Sequence, residues 1–229
     1  MIHKYQIEDK VLLAVDCIIF GFDEDDLKIL LIKRNFEPEK GKWSLMGGFL
    51  ERKENLNMAA NRILYQLTGI EKIYMEQLYA FSEVDRDPAD RTISVAYFAL
   101  INIKEHDKTL IDKHSAKWFS VTKLPELIFD HSEMITKAIK RLRYKTSKKP
   151  IGFELLPKKF TMRQLQKLYE SILGEELDKR NFINKINALN ILVKLNEKDM
   201  NSSRKGSFLY KFDAKKYKEK VLEGFSFKL

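Results

Sequence analysis

The sequence has few of the residues that mark disulfide-stabilised or membrane-spanning proteins. Its 229 residues include one cysteine, Cys17, and five prolines. A single cysteine excludes an internal disulfide framework and a zinc site built from several thiolates. No apolar run approaches the roughly 18 residues of a membrane-spanning helix. The N-terminal residues MIHKYQIEDK lack the apolar segment of a secretory signal. These absences predict a cytoplasmic protein in which Cys17 is a buried strand thiol.

The composition is that of a globular protein, but its charge is unevenly distributed. Hydrophobic residues make up 44% of the chain and charged residues 33%, which suits a packed core and argues against disorder. The net charge is +9, and residues 150–229 hold 17 basic and 10 acidic side chains, a net charge of +7. A basic C-terminal third suggests contact with nucleic acid, although a basic surface also serves solubility.

The first two thirds of the chain alternate strand and helix patterns. Apolar runs predict strands over residues 11–22, 27–36, 70–84, 92–103 and 115–121. Helical spacing predicts a helix over residues 55–67, which Gly69 ends, and a second helix over Glu133–Tyr144. Asp130 is expected to cap that second helix. The polar, basic stretch RYKTSKKP then indicates a linker.

The remainder has a different pattern. Thr161 is expected to cap a helix over Met162–Leu173, and Asp178 a second helix over Lys179–Leu189. The runs ILVKLNE and SFLYKF then predict a hairpin with a polar tip. A helix, a tight turn, a helix and a hairpin form the outline of a winged helix-turn-helix. The fold class expected for the whole chain is therefore α+β.

The second of these helices has a polar face suited to reading DNA. We expect this recognition helix to present five side chains: Lys179, Arg180, Asn181, Asn184 and Lys185. Arginine can pair with guanine and asparagine with adenine in the major groove. Arg204 and Lys205, in the hairpin tip, are the candidate wing contacts with phosphate or minor groove. The simpler alternative is an ordinary amphipathic helix with a solvated basic face.

The stretch from Trp43 to Ile70 resembles the sequence box of the Nudix family. Gly48, Glu54, Arg62 and Gly69 fall on that family's glycine, glutamate, arginine and glycine positions. The resemblance covers roughly residues 10–145. It implies a Nudix α/β/α sandwich with a mixed sheet, and it implies that Glu54 and Arg62 form a structural pair.

The chain departs from the Nudix pattern where that family binds its metal. Three glutamates on one helix face hold Mg²⁺ or Mn²⁺ for attack on a diphosphate in the family. Here those positions are Ile63, Gln66 and Leu67. We therefore expect no hydrolysis, no bound metal and no cofactor. Two alternatives stay open. One is a small-molecule or protein-binding module, and the other is a hydrolase whose metal site has moved to other carboxylates, namely Glu51, Glu54, Glu83, Asp85 or Asp87.

A polar segment between two predicted strands, Asp85–Arg91, is the main candidate for ligand contacts. Small polar ligands are bound by a few convergent polar groups above apolar walls. The candidate effector-binding residues are Lys33, Arg34, Trp43, Asp85, Arg86 and Arg91. A solvated loop with a turn at Asp87–Pro88 is the simpler interpretation of this segment.

Taken over nearly its whole length, the chain resembles a family of Nudix-related bacterial transcriptional regulators. The segments VDCIIFGF, WSLMGGF, VDRDP and LIFDHSEM are most similar to an arabinose-responsive branch, and another branch senses ADP-ribose and controls NAD metabolism. The resemblance implies a homodimeric repressor of sugar metabolism that binds operator DNA and is released by a small effector, with L-arabinose first and ADP-ribose as the alternative. Residues 1–145 would sense the effector, residues 146–152 would link the two domains, and residues 153–229 would bind DNA. The linker and the helix before it are expected to carry the signal.

Overall fold

The computed structural model describes residues 10–23, 25–69, 73, 75–105, 115–149, 151–200 and 205–222. The N-terminal part is a seven-stranded mixed sheet between two helices. Its strands are β1 (Leu12–Phe22), β2 (Leu27–Lys33), β3 (Trp43–Ser44), β4 (Met46–Phe49), β5 (Met75–Phe81), β6 (Thr92–Asn102) and β7 (Ala116–Ser120). The helices are α1 (Leu56–Thr68) and α2 (His131–Lys148). The α/β/α sandwich expected from the Nudix resemblance is confirmed.

Strand β1 is the centre of this sheet. It runs parallel to β6 and antiparallel to β2 and β4. Because successive side chains of a strand point to opposite faces, Cys17 and Ile19 pack in the cluster that contains the apolar residues of α1. Ile18 and Phe20 pack in the cluster that contains those of α2. Cys17 is the buried strand thiol expected from the sequence, and burial raises its pKa.

The C-terminal part contains β8 (Phe160–Thr161), α3 (Met162–Leu173), α4 (Lys179–Leu189), β9 (Leu192–Asp199), β10 (Ser207–Phe212) and α5 (Ala214–Leu222). The Thr161 hydroxyl accepts the Gln164 N–H, while the Gln164 side chain accepts the Thr161 N–H, which makes a capping box. Asp178 caps α4 by accepting the Asn181 N–H at 2.8 Å. The strands are ordered β8-β10-β9. The helices and the hairpin therefore follow the expected outline, with β8 and α5 added.

Helix α2 is longer than its sequence pattern indicates. It continues four residues past the expected end at Tyr144, to Lys148, and Thr146 is fully buried within it. The first residues of the expected linker are thus helical. The helix also joins the two parts of the molecule, because its Leu142 belongs to one continuous apolar cluster with Leu165 and Leu168 of α3. Among the described helices, none is long and apolar enough to cross a membrane.

Two polar contacts reinforce this junction. The Arg143 Nε atom donates to the carbonyl of Ile172, near the end of α3, at 2.9 Å. The Ser171 hydroxyl donates to the carbonyl of Asp25, in the turn between β1 and β2, at 3.3 Å. The turn that follows α3 also lies close to α2, because a Cβ on Gly174 would lie only 2.7 Å from the Arg143 guanidinium. Gly174 also has a left-handed φ of 77°, so a glycine suits this position on both counts.

A shared core predicts that the whole chain unfolds in one cooperative transition. Replacing Leu142, which is fully buried, with alanine should lower the unfolding free energy by about 2–5 kcal/mol. Met58→Ala, at a side chain 54% exposed on α1, should change it by no more than about 0.5 kcal/mol. Urea titrations followed by circular dichroism and by tryptophan fluorescence would measure both. Two separate transitions in the wild-type protein would contradict the shared core.

Candidate ligand pocket and nucleic-acid interface

A cavity of about 310 Å³ opens between β1, β2, β4 and the start of α2. Its volume suits a small-molecule site, which typically occupies ~300–1,000 Å³. Polar and apolar side chains both line it: Asp16, Lys33, Arg34, Phe36, Ser44, Arg86, Asp87, Phe129 and His131. The cavity thus combines apolar walls with several convergent polar groups.

One wall of the cavity is fixed by an ion pair between Arg86 and Asp130. The Arg86 Nε and Nη2 atoms donate to the two Asp130 carboxylate oxygens at 2.8 and 2.7 Å. The Arg86 side chain is only 3% exposed. Burial opposes its charge, but the hydrogen bonds and charge of Asp130 outweigh that effect and raise the Arg86 pKa. Asp130 is the N-cap residue of α2, as expected, but its side chain makes no capping hydrogen bond because both oxygens bond to Arg86.

The floor of the cavity is formed by Asp16 and His131. One carboxylate oxygen of Asp16 accepts the Ser94 hydroxyl at 2.5 Å. The other lies 3.9 Å from the His131 Nε2 atom. The His131 Nδ1 atom accepts the backbone N–H of Leu45 at 3.1 Å. Burial lowers the His131 pKa and outweighs the nearby carboxylates, which raise it, so the imidazole is neutral at pH 7.

The rim carries cations that rest on aromatic rings. The Arg34 guanidinium lies 3.8 Å from the ring centre of Phe36 and 5.4 Å from that of Phe129. Its Nε atom also donates to the Phe36 carbonyl at 3.1 Å. The Lys33 ammonium lies 5.4 Å from the ring centre of Trp43. Cation–π contacts of this kind hold a charged group in place while leaving its other N–H donors available.

The structure brings together only part of the set of ligand-binding residues predicted from the sequence. Lys33, Arg34 and Arg86 line the cavity. The other three do not line it: Trp43 packs against Phe119, Arg91 donates to the carbonyls of Ser82 and Glu83, and Asp85 is exposed. The Asp87 carboxylate accepts the Ala89 N–H at 2.9 Å, so the simpler interpretation of a turn at this loop is correct for Asp87, while Arg86 beside it is buried.

Sequence reasoning missed Asp16, Ser44 and His131. A carboxylate inside the apolar run VDCIIFGF was a usable signal for Asp16, because a buried charge is costly unless it is paired or hydrogen-bonded. No comparable signal marks Ser44 and His131. Their places in the cavity depend on the folding of β3 and α2 against each other.

The Nudix box forms a structural clasp. The Arg62 Nε and Nη2 atoms donate to Glu54 at 2.9 and 2.5 Å, and Nη2 also donates to the Phe49 carbonyl at 2.9 Å. Glu54 also accepts the Glu51 N–H at 2.9 Å. The Arg62 hydrogen bonds lower the Glu54 pKa to about 2. The pair thus ties the loop after β4 to α1, as its family resemblance implies.

The positions of the family's metal-binding glutamates have other surroundings here. Ile63 is 2% exposed and packs in the apolar cluster beneath the sheet. The Gln66 side-chain oxygen accepts an Arg62 N–H at 3.3 Å, and Leu67 occupies the third position on α1. In the described part of the chain, no group of three or more histidine, cysteine, aspartate or glutamate side chains is placed to hold a metal ion.

Helix α4 presents a polar face outward. Its apolar side is buried through Phe182, Ile186 and Leu189. All five side chains expected to contact DNA are exposed: Lys179, Arg180, Asn181, Asn184 and Lys185. Lys205 is exposed beside the hairpin tip, where its carbonyl accepts the Lys198 ammonium at 3.3 Å. Arg204, the other wing candidate, lies outside the described residues.

Two known domain families match the two parts of this structure. The NUDIX domain matches residues 10–138, and the NrtR DNA-binding winged helix domain matches residues 152–212. The ADPR responsive transcriptional repressor NtrR of Acinetobacter baylyi is 34% identical over 220 residues, which cover 93% of this chain and 88% of that protein. The chain belongs to the NrtR family of transcriptional regulators. The predicted combination of a Nudix domain with a DNA-binding winged helix is confirmed.

Solved structures of the NrtR family show the same architecture. NrtR of Shewanella oneidensis, crystallised with a 27mer DNA, is 26% identical with a TM-score of 0.81, and the match covers 94% of this chain and 97% of that one. The NUDIX domain of the same protein, crystallised with ADP ribose, is 30% identical with a TM-score of 0.51 and covers 60% of this chain and 92% of that one. These relatives support the ADP-ribose alternative and give no support to the arabinose-responsive branch.

The Glu54–Arg62 clasp predicts a pH-dependent contribution to stability. The Glu54 pKa is about 2 in the folded protein against an ordinary value of 4.5, so its stabilising effect is fully present above about pH 4.5 and is lost as the pH falls towards 2. Glu54→Gln should therefore destabilise the protein at pH 7, and the difference from wild type should shrink between pH 4.5 and 2.5. Urea unfolding across this range would measure it.

Glu51→Gln is the matched control for this experiment. Its carboxylate is 67% exposed and 3.6 Å from the Arg62 Nε atom, so it should have little effect at any of these pH values. A Glu54→Gln effect that is the same at pH 7 and pH 2.5 would contradict the role of the charge.

Proposed function

We propose that this NrtR-family protein is a transcriptional repressor whose DNA binding is controlled by ADP-ribose bound in the cavity of a hydrolytically inactive Nudix domain. The DNA-binding part of this proposal rests on the exposed polar side chains of α4. Five polar side chains of the types that read bases and phosphates are exposed on the helix that follows the tight turn of a winged helix domain. This arrangement suits insertion of α4 into the major groove of operator DNA.

The effector assignment rests on relatives and on the rim of the cavity. The A. baylyi relative is described as ADPR responsive, and the S. oneidensis domain was crystallised with ADP ribose. Lys33 and Arg34 line the cavity, where they could meet a diphosphate through charge-assisted hydrogen bonds. L-arabinose is the second candidate, because the Asp16–His131 floor has the mixed donor and acceptor character that suits an uncharged sugar.

The absence of hydrolysis follows from the chemistry of α1. Attack on a diphosphate needs a divalent cation to offset the charge that develops in the transition state. Ile63 is buried in an apolar cluster, and Gln66 offers only a neutral carbonyl that already accepts from Arg62. We therefore assign this helix a structural role. We also propose a homodimer, which would suit an operator with two half-sites.

Helix α2 offers a direct route from the cavity to the DNA-binding domain. It begins at His131 in the floor of the cavity and contacts Ile172 of α3 through Arg143. Residues 1–145 would sense the effector and residues 153–229 would bind DNA. We assign the signal to α2, because its Leu142 packs in the core shared with α3. The effector can shift DNA affinity only by its differential affinity for the two placements of α2, typically ~1–3 kcal/mol.

DNA release by an effector is the decisive measurement. Fluorescence anisotropy of a labelled duplex from the gene's own upstream region should show tight binding that ADP-ribose weakens by roughly 5- to 150-fold. L-arabinose is the parallel arm, and release by L-arabinose alone would assign the second candidate. Binding no tighter than to random DNA under every condition would contradict the repressor. Release of AMP from ADP-ribose in Mg²⁺ would contradict the inactive domain.

The recognition face is tested by Arg180→Ala. Loss of a base contact should cost about 1–3 kcal/mol at the operator and much less on random DNA. Arg52→Ala is the matched control, since Arg52 is exposed in the Nudix domain and should leave both affinities unchanged. An equal loss on operator and random DNA would make Arg180 a phosphate contact instead.

The role of α2 is tested by Arg143→Ala. This change removes the hydrogen bond to the Ile172 carbonyl, so we expect DNA binding without effector to persist while the effector-induced loss of affinity becomes smaller. Lys140→Ala, at another exposed position on α2, should retain full effector control. Wild-type coupling in Arg143→Ala would show that the signal does not pass through this contact.

A further inference from the structure

The cavity floor holds a hydrogen-bond donor and an acceptor that face each other without bonding. Because the His131 Nδ1 atom accepts the Leu45 N–H, the single proton of the neutral ring lies on Nε2. That atom is 3.9 Å from the free carboxylate oxygen of Asp16, which is beyond the range of an N–H···O hydrogen bond. An oxygen atom beside the pair, on the cavity side, could lie about 2.8 Å from both atoms and bond to both.

The surrounding residues hold Asp16 in this position. Its other oxygen is bonded to the Ser94 hydroxyl, and the residue is only 6% exposed. Gly47 lies opposite Asp16 in the β1–β4 pairing, and a Cβ at Gly47 would overlap the oxygen that faces His131. The strand β4 therefore has a glycine where any side chain would displace the carboxylate. A buried carboxylate needs hydrogen-bond donors.

We propose that Asp16 and His131 together bind one hydroxyl group of the effector, so that an uncharged sugar ring occupies the floor and any phosphate lies at the rim. A hydroxyl can donate to the Asp16 oxygen and accept from the His131 Nε2–H at the same time. A phosphate has no proton to donate at neutral pH in its diester form, and its charge is repelled by the carboxylate. This assignment rests on the proposed effector function of the cavity.

Asp16 and His131 together would let the cavity select a sugar by its hydroxyl groups. A site built to bond a hydroxyl discriminates strongly against an analogue that lacks it, because the buried polar groups of the site are then left unpaired. Lys33 and Arg34 line the same cavity at its rim, so the orientation of a sugar phosphate is set by charge: sugar on the acidic floor, phosphate on the basic rim.

The direction in which Asp16→Asn changes the effector affinity tests whether the sugar lies on the floor of the cavity. Isothermal titration calorimetry would compare ADP-ribose and L-arabinose binding to the full-length wild-type protein and to Asp16→Asn. Loss of a hydrogen bond to a charged acceptor should raise the Kd of the bound effector about ten- to a hundredfold. Tighter binding by Asp16→Asn would place an anionic group on the floor, and unchanged binding would place the sugar elsewhere. Either result overturns the proposal.

The matched control is Glu133→Gln, the same change from carboxylate to amide on an exposed residue of α2 that pairs with Lys137. It should leave the Kd unchanged. If Asp16→Asn fails to fold, single-deoxy analogues of the sugar that binds can be titrated against the wild-type protein. At least one should lose a similar factor in affinity, and equal binding by all of them overturns the proposal. No binding of either effector to the wild-type protein overturns the proposed effector function itself. A wild-type Kd retained in Asp16→Asn overturns the placement of the sugar on the floor and leaves the proposed effector function standing.

Discussion

The pocket depends on the buried ion pair between Arg86 and Asp130. It joins the loop after β5 to the residue that precedes α2, with two hydrogen bonds of 2.8 and 2.7 Å. Because the Arg86 side chain is almost fully buried, removing either partner leaves an unpaired charge at a cost of about 3–5 kcal/mol. Phe129, the residue before Asp130, adopts a left-handed φ of 50°. The ion pair fixes the direction in which α2 starts and the position of His131 against Leu45.

Helix α2 connects the cavity to the C-terminal part of the molecule. Its 18 residues span about 27 Å, from the cavity floor to the end of α3. Along this length its apolar face is packed in a core shared by both domains, and close-packed interiors shift between discrete arrangements rather than deform locally. The DNA-binding domain is therefore placed by the same element that completes the ligand cavity.

Elements that are specified by local sequence signals were predicted accurately, whereas elements that depend on distant partners were not. Helices α3 and α4 and strand β10 matched their predicted bounds, because caps and apolar stripes are local signals. Strands β3, β4 and β8 contain two to four residues, too few for a periodicity, and exist only through their partners. Lys33 and Arg34 were identifiable as cations near the end of a predicted strand, and Arg86 as a cation in the polar segment between two predicted strands. Asp16 carried a signal that was missed, a carboxylate inside an apolar run. His131 carried none, since β3 and α2 meet only in the folded chain.

The environment of Ile63 opposes a carboxylate at this position. A Cβ on Gly48 would lie 3.2 Å from the Ile63 side chain, so the two positions are in close apolar contact. A glutamate at position 63 would place a charge in that contact, with a desolvation cost, before the other two carboxylates were present to share a cation. A glutamate at position 63 alone would therefore lower stability without restoring a metal site. The packing at position 63 thus opposes a return to metal-dependent chemistry by one substitution at a time.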